Sequence, residues 1–407
     1  MRLLASMAMK NITRRKARTL LTMGMVVTGT ALMVFMIGLS EGTYDEMIDL
    51  ATSMWTGHFE ITAAGYNDKP SLFRTVDREG EAFRKLDKDA RLKGLTARIE
   101  TAGLFSLGLK TTGAMLTGVD PEGEKTVTTI DRAVKTGKWL GDAKAPGKPV
   151  VLGTGLAKRL GAKPGDEVSF VGQAADGSIA AELFTVCGLS ETGATELDSS
   201  AALVRLSDAA ELLALGGRVH RLVGRFSSLA EADLPDGGLP IPKGAEYLSW
   251  RRIMPAMDKS IKTDRMEVRV IIFILIFVVI LGVANTMTMV VMERTHEFGV
   301  LSALGTPPAT IVSLVLLEGV WLCLFAAGVG VLLGGVANWL TTFHGLPIAS
   351  GPIDFGGITM SEMHSKNGLF ALLGAPAMVV GAGFAAGALP ALRAARMKPA
   401  DAMRRGR

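Results

Sequence analysis

The sequence predicts an α-helical membrane protein with four transmembrane helices and a large mixed α/β domain on the outer side of the membrane. Three observations carry that expectation. Four stretches, residues 20–39, 270–292, 311–343 and 369–389, are apolar over the roughly 20 residues a helix needs to cross a bilayer. The block between the first two stretches has ordinary soluble composition. Basic residues crowd both ends of the chain. The 407 residues are 48% hydrophobic with a mean hydropathy of +0.33, so the apolar content is high and unevenly spread.

Charge sets the topology. The net charge is +5 and the isoelectric point near 9.2. Arg2, Lys10, Arg14, Arg15, Lys16 and Arg18 precede the first span without an acid among them. Arg393, Arg396, Lys398, Arg404, Arg405 and Arg407 follow the last, opposed only by Asp401. Residues 40–266 hold 29 Lys/Arg against 32 Asp/Glu, so the excess sits in the tails, where cytoplasmic ends carry it. This distribution argues against nucleic acid as a partner. It puts both termini inside and residues 40–266 outside.

The expected segments follow in order. Residues 1–18 form a cytoplasmic amphipathic helix, with Leu3, Leu4, Met7, Met9 and Ile12 on one face and Lys10, Arg14 and Arg15 elsewhere. Residues 19–39 are the first span; it is retained, because its apolar run exceeds a signal core and no clear cleavage site follows. Residues 40–266 are the outer α/β domain. Within it 57–66 starts as a strand, 94–120 reads as successive strands joined by Gly and Thr, 149–172 reads as strand, short helix, Pro-Gly turn and strand, and 181–193 adds another strand. Residues 75–92 have helical spacing, and 205–215 read as a helix with Ser207 as N-cap. Residues 267–292 are the second span, with Arg269 snorkelling at its start. Residues 293–309 are a cytoplasmic helix, 310–343 the third span, 344–367 an outer loop, 368–390 the fourth span and 391–407 a basic cytoplasmic tail.

Motifs for chemistry are missing. "VLGTGLAKRLG" (151–161) lacks the Gly-Lys-Ser/Thr ending of a phosphate-binding loop and reads as turns. The five histidines, His58, His220, His296, His344 and His364, show no metal-ligand spacing. Cys187 and Cys323 lie in the outer block and in a span, so no disulfide is expected. The chain is expected to be no enzyme by itself and to bind no metal. Gly330 with Gly334, and Gly383 with Gly387, have the spacing that lets helices pack closely in lipid. Glu318, about two turns into the third span, either contacts neighbouring helices and the adjacent loop or reaches interfacial water.

The most informative stretch is "MERTHEFGVLSALGTPP" (292–308), charged yet set between two spans. A helix over 293–304 places Phe298, Leu301 and Leu304 on an apolar edge and Glu293, Arg294 and Glu297 on a polar one. Gly305 ends it and Pro307-Pro308 forbids continuation. A short rigid helix held this way suits transmission of force from a soluble partner to the spans.

Here the chain resembles the permease subunits of ABC transporters of the MacB/FtsX/LolC–LolE superfamily. The resemblance rests on "KNITRRKARTLLT" (10–22), the large domain after the first span, "NTMTMVVMERTHEFGVLSALG" (285–305), "LLEG" (316–319) and "PALRAARMKPADAMR" (390–404). It implies a MacB-like, type VII ABC exporter fold with a periplasmic domain, in the inner membrane of a Gram-negative-type bacterium. It implies a coupling helix seated on an ABC ATPase, with Glu293, Arg294, Glu297, Phe298, Leu301, Leu304 and Gly305 as contacts. It also implies two copies of that ATPase, which binds ATP and Mg on a separate chain, and a second permease copy or paralogue.

"GLSEGTYDEMIDLATSMWTGHFEITAAGY" (38–66) and "VVLGTGLAKRLGAKPGDEVSF" (150–170) look closest to the LolC/LolE-like, lipoprotein-releasing branch. That branch implies mechanotransmission, lipidic cargo and a periplasmic carrier or adaptor. Three acyl chains hold a lipoprotein in lipid by on the order of 35 kcal/mol, at about 0.8 kcal/mol per CH₂. A cavity between the spans must therefore replace lipid, with Val34, Ile37, Leu39, Ile272, Phe273 and Ile276 as its expected lining. The alternatives are a MacB-like efflux permease for drugs, peptides or toxins, and an FtsX-like regulator of a cell-wall hydrolase.

Overall fold

The computed structural model describes residues 16–78, 80–143, 147–348, 351, 353–354 and 359–396. Residues 1–15 of the expected amphipathic helix and most of the basic tail lie outside them, and residues 16–18 belong to the first long helix. The chain divides into two compact units. One comprises Met1–Tyr44, Ser260–Ile348 and Glu362–Arg407, and the other Asp45–Lys259 with Ala349–Ser361.

The first unit is built on four helices long and apolar enough to cross a membrane. They are Lys16–Ala51, Pro255–Glu293, Pro308–His344 and Ala375–Ala395, the last entered through a π-turn at Phe370–Gly374. The first two are longer than the apolar runs alone. Polar flanks add helical turns at Ser40–Ala51 and Pro255–Met266, residues the sequence placed in the outer domain.

Their shared core is Val26, Met33, Val34, Val279, Val283, Leu322, Ala326, Ala375 and Val379, with smaller neighbours. A Cβ on Gly330 would strike Thr30, and one on Gly334 would strike Val34, so the first and third helices touch backbone to side chain. Gly383 faces Cys323 in the same way, and Gly387 faces Leu316. Without a hydrophobic drive between helices in lipid, such close approach and interhelical hydrogen bonds hold the bundle. Asn338 Nδ2 donates to the Val34 carbonyl at 3.0 Å, and the Thr22 and Thr286 hydroxyls meet at 2.7 Å.

The second unit is a sheet of ten strands plus a two-stranded ribbon. In chain order the strands are β1 (Phe59–Ala63), β2 (Val76–Asp77), β3 (Leu92–Leu107), β4 (Lys110–Val119), β5 (Val134–Gly137) and β6 (Lys148–Gly153). Then come β7 (Glu167–Gln173), β8 (Ile179–Ser190), β9 (Ala201–Arg205), β10 (Arg218–Val219), β11 (Arg221–Phe226) and β12 (Ala245–Ser249). The main sheet runs β12-β1-β11-β3-β4-β9-β6-β8-β5, and β7 bridges β3 and β8. Strands β3, β4, β9, β6, β8 and β7 therefore close into a ring, which removes exposed sheet edges. The 16-residue β3 serves both halves. Its first part pairs with β11 and its second with β4 and β7. Inward positions fill the ring with Phe105 and Phe170, whose ring centroids are 5.1 Å apart. The other half packs Phe59 on Phe226 and Tyr247, at 4.8 and 5.3 Å.

Three local expectations need correction. Residues 75–92 hold only one short helix, Glu81–Asp87, because Val76–Asp77 is taken by the ribbon with β10. Ser207 is not an N-cap. The helix starts at Leu206 with Arg205 at the cap, and the Ser207 hydroxyl donates to Asp208 instead. Arg205 is fixed there by donating to the Leu140 and Ala143 carbonyls. The 344–367 loop also carries backbone pairing, Leu346–Pro347 with Glu362–Met363 and Ile353–Asp354 with Thr359–Met360.

Buried charge is concentrated at two places in the second unit. Arg98 and Glu124 are both fully buried and joined by two hydrogen bonds of 2.8 and 2.9 Å. The Thr128 hydroxyl donates to Glu124, and the Arg98 guanidinium lies 3.8 Å over the Trp55 ring. Trp55 sits in the π-turn Thr52–Thr56 that follows the first helix, and the Thr129 amide donates to the Ser53 carbonyl of that turn. Nearby, Arg221 pairs with Glu60 and Glu100, and Tyr66 stacks on buried His220. The Glu100 amide donates to His220 Nδ1, so its Nε2 carries the proton and donates to the Leu72 carbonyl.

Two outcomes follow. Glu124→Ala leaves Arg98 buried and unpaired, and is expected to lower the unfolding free energy by about 3–5 kcal/mol. The check is the denaturant midpoint of the full chain at unchanged slope. Burial holds the His220 imidazole below its usual range, so the unfolded chain takes up the proton first. Stability is then complete above about pH 6.5 and falls as pH drops through that value, by up to about 1.4 kcal/mol per pH unit. His220→Gln should flatten this dependence between pH 7.5 and 5.5.

Candidate functional site

The segment joining the second and third long helices is a separate short helix, Thr295–Ala303. The break falls at Arg294, whose φ of −103° and ψ of 16° leave the helical region. The Thr295 hydroxyl donates to the Val291 and Met292 carbonyls, capping the end of the second helix. At the other end Gly305 has φ +85°, a conformation that a Cβ would strain, and the Thr306 amide donates to the Leu301 carbonyl. Pro308 then opens the third helix at a position where its missing N–H costs nothing.

The short helix is pinned on one side by apolar packing and on the other by charge. Phe298 is 1% exposed and lies in a cluster with Val291, Ile311, Val315, Ala391 and Ala394, drawn from the second, third and fourth long helices. Leu301 packs against the same cluster. Arg294 donates from Nε to Glu297 at 2.7 Å and from Nη1 to Glu318 at 3.1 Å. Its guanidinium also lies 5.1 Å from the Phe298 ring centroid. Glu318 is therefore bound to the short helix, the first of its two expected roles. A carboxylate inside a span is costly unless paired, and Arg294 is its partner.

This geometry divides the contact set read from the sequence. Phe298 and Leu301 face the long helices, and Arg294 braces Glu318, so these three hold the segment in place. The edge Phe298–Leu301–Leu304 does not form one face, because three-residue steps drift around a helix of 3.6 residues per turn and Leu304 stands at its C-cap. Leu304 is 79% exposed, and Glu297, Gly305 and His296 are exposed too. Glu293 is half-buried. Sequence reasoning missed Met292 and Val300, which are exposed at 69% and 39%. With His296 and Leu304 they recur every four residues, and that spacing was the available signal.

The expected cavity lining is also only partly assembled. Ile37 and Ile272 line a cavity of about 420 Å³ together with Ser40, Tyr44 and Phe370. Val34 is fully buried against Gly334, and Leu39 and Ile276 are half-buried outside this lining. Phe273 points away at 68% exposure. Among the described residues no group of His, Cys, Asp and Glu has the arrangement of a metal site.

Four membrane-length helices, a short helix fixed between the second and third, and a large α/β domain between the first and second define a membrane permease. The model of the MacB-like periplasmic core domain matches residues 19–233, and that of the FtsX-like permease C-terminal segment matches 269–399. Among curated relatives, the lipoprotein-releasing system transmembrane protein LolC of Neisseria meningitidis serogroup B is 25% identical over 72% of this chain and 73% of its own length. LolE of Haemophilus influenzae is 25% identical over 85% of this chain and 84% of its own. The macrolide export ATP-binding/permease protein MacB of Nitrobacter winogradskyi is 28% identical over 96% of this chain and 58% of its own. The chain belongs to the family with a MacB-like periplasmic core and an FtsX-like permease C-terminus, and is a permease subunit of an ABC transporter of the LolC/LolE and MacB type.

Removing the Phe298 ring opens a cavity among three long helices. Phe298→Ala is expected to cost about 3–5 kcal/mol and to speed tryptic cleavage after Arg294. Leu304→Ala, on the exposed side, is expected to stay within about 0.5 kcal/mol of the parent. Thermal unfolding and timed proteolysis separate the two.

Proposed function

We propose that this subunit works by mechanotransmission, with Thr295–Ala303 as the coupling helix seated on a separately encoded ABC ATPase that binds ATP and Mg. The observation that supports this most is the two-sided build of that helix. Phe298 and the Arg294–Glu318 pair tie one side to the long helices, while Met292, Val300 and Leu304 lie exposed on the other. A helix clamped so tightly cannot move alone, so a push on its exposed side moves the long helices. The chain passes from the first unit to the second within the first helix, after Tyr44, and returns within the second, after Lys259. Motion of those helices is thereby motion of the chain entering and leaving the α/β domain.

The basic tails argue for cytoplasmic termini and a periplasmic α/β domain. In this reading two permease subunits act with two ATPase subunits in the inner membrane. The cargo is lipidic, with lipoprotein release the leading case given the LolC and LolE relatives. A MacB-like efflux role is the second reading, favoured by the match to MacB over 96% of the chain.

Co-purification from mild detergent tests the coupling helix. The parent chain should bring an ABC ATPase with it, and Glu297→Lys or Val300→Asp with Leu304→Asp should lose it. Glu318→Leu should keep the ATPase bound yet lower cargo release by about tenfold at similar ATP turnover, since it cuts the brace and not the contact. Absence of any ATPase with the parent chain would sink the proposal. An acylated lipoprotein in the complex supports release, and an adaptor with an outer-membrane channel supports efflux.

A further inference from the structure

The 420 Å³ cavity is amphiphilic in a defined direction. Its deep part is formed by Ile37, Ile272 and Phe370, and its upper part by Lys262, Arg265 and Arg269. On the second long helix these polar and apolar residues follow one another at three- and four-residue steps, so they lie on one face. From Ile272 to Lys262 the helix rises about 15 Å, which takes the cavity from hydrocarbon depth into the headgroup zone.

Three cations meet one lining carboxylate, Glu41. Asp264 and Glu267 stand on the same helix outside the lining. Among the described residues neither the Arg265 nor the Arg269 guanidinium is in an ion pair. Arg265 lies 5.5 Å from the Tyr44 ring centroid, and Arg269 Nε donates only to the Arg265 carbonyl at 3.2 Å. Two guanidinium groups in no ion pair, above an apolar floor, match a ligand with an anionic head and hydrocarbon tails. Guanidinium recognises phosphate through paired N–H donors. A triacylated lipoprotein terminus does not fit this head, because its acylated amine is a neutral amide. A free anion would leave the apolar floor unused.

We infer that this cavity binds an anionic glycerophospholipid of the outer leaflet, with phosphate on Arg265 and Arg269 and an acyl chain on Ile37, Ile272 and Phe370. The inference rests on the four helices crossing a bilayer with this end outward, and is independent of the coupling helix. A bound phospholipid would occupy the gap between the first and second helices whenever cargo does not.

The test is native mass spectrometry of the detergent-solubilised full chain, titrated with phosphatidylglycerol or phosphatidylcholine of the same acyl chains. Phosphatidylglycerol should be retained and phosphatidylcholine largely lost. Arg265→Gln with Arg269→Gln should weaken phosphatidylglycerol binding roughly thirtyfold, at about 1 kcal/mol per cation. Should that variant not fold, Arg269→Gln alone carries the test at about fivefold. Arg393→Gln, at the far end of the fourth helix, should bind as the parent does. Equal retention of the two lipids, unchanged affinity in the arginine variants, or displacement by millimolar inorganic phosphate would overturn the inference. A chain that still captures its ATPase but holds no phosphatidylglycerol would overturn this inference alone.

Discussion

The Glu318 carboxylate is the constraint on which the membrane half depends. It sits on the third long helix at a depth where an unpaired charge is costly, and its side chain is almost wholly buried. Its ion partner is Arg294, whose backbone departs from helical geometry between the second long helix and the short one. That departure ends the second helix, starts the short one and turns Phe298 inward. Breaking the pair leaves one charge uncompensated, so the short helix and the third long helix are tied by the cost of separating them and not by the gross attraction of the ions.

The α/β half uses the same device at a different place. Arg98 and Glu124 are fully buried, and the guanidinium also covers Trp55. Trp55 belongs to the π-turn after the first helix, so the turn is fixed to β3 and to the helix carrying Glu124. A π-turn puts an extra residue into one helical turn and is an uncommon conformation. Here the buried pair and the Thr129 amide hold it. Each half of the molecule thus has one buried ion pair at the place where a helix changes course, and apolar packing alone would not define the angle at either place.

How much of this the sequence showed depends on the physics behind each feature. The spans were legible because bilayer thickness imposes a length and a composition on them. Gly330, Gly334 and Gly383 were legible as close-packing positions because only their spacing had to be read. The stop at Gly305 and Pro307-Pro308 was legible because backbone geometry forces it. The facing of Leu304 was misread, since three-residue steps drift around a helix and carry it about a third of a turn from Phe298. The brace between Arg294 and Glu318 was hidden, because it joins residues 24 apart and no local periodicity carries such information. The closure of β3, β4, β9, β6, β8 and β7 was hidden for the same reason. It needs β7 to pair with β3 across more than 60 residues. The polar rims of the first and second helices were read as domain because they are charged. Helix propensity and the absence of Gly or Pro between Ala256 and Arg269 continue the second helix through its rim.

The charged rims also explain why the helices are longer than the bilayer. A span that ended at the hydrocarbon edge would pass into flexible loop, and displacement of its inner end would be lost there. Residues Ser40–Ala51 and Pro255–Arg269 keep the chain helical through the headgroup zone instead. A helix rises 1.5 Å per residue whether its surface is apolar or charged, so the charged residues lengthen each helix without a change of geometry. Charge on that extension then does two jobs. It keeps the helix soluble outside hydrocarbon, and at Lys262, Arg265 and Arg269 it surrounds the upper half of an apolar cavity. In the mechanism proposed above, residues that would carry displacement outward also line the cavity for which we infer a phospholipid, so a change in the separation of the two helices would change that cavity.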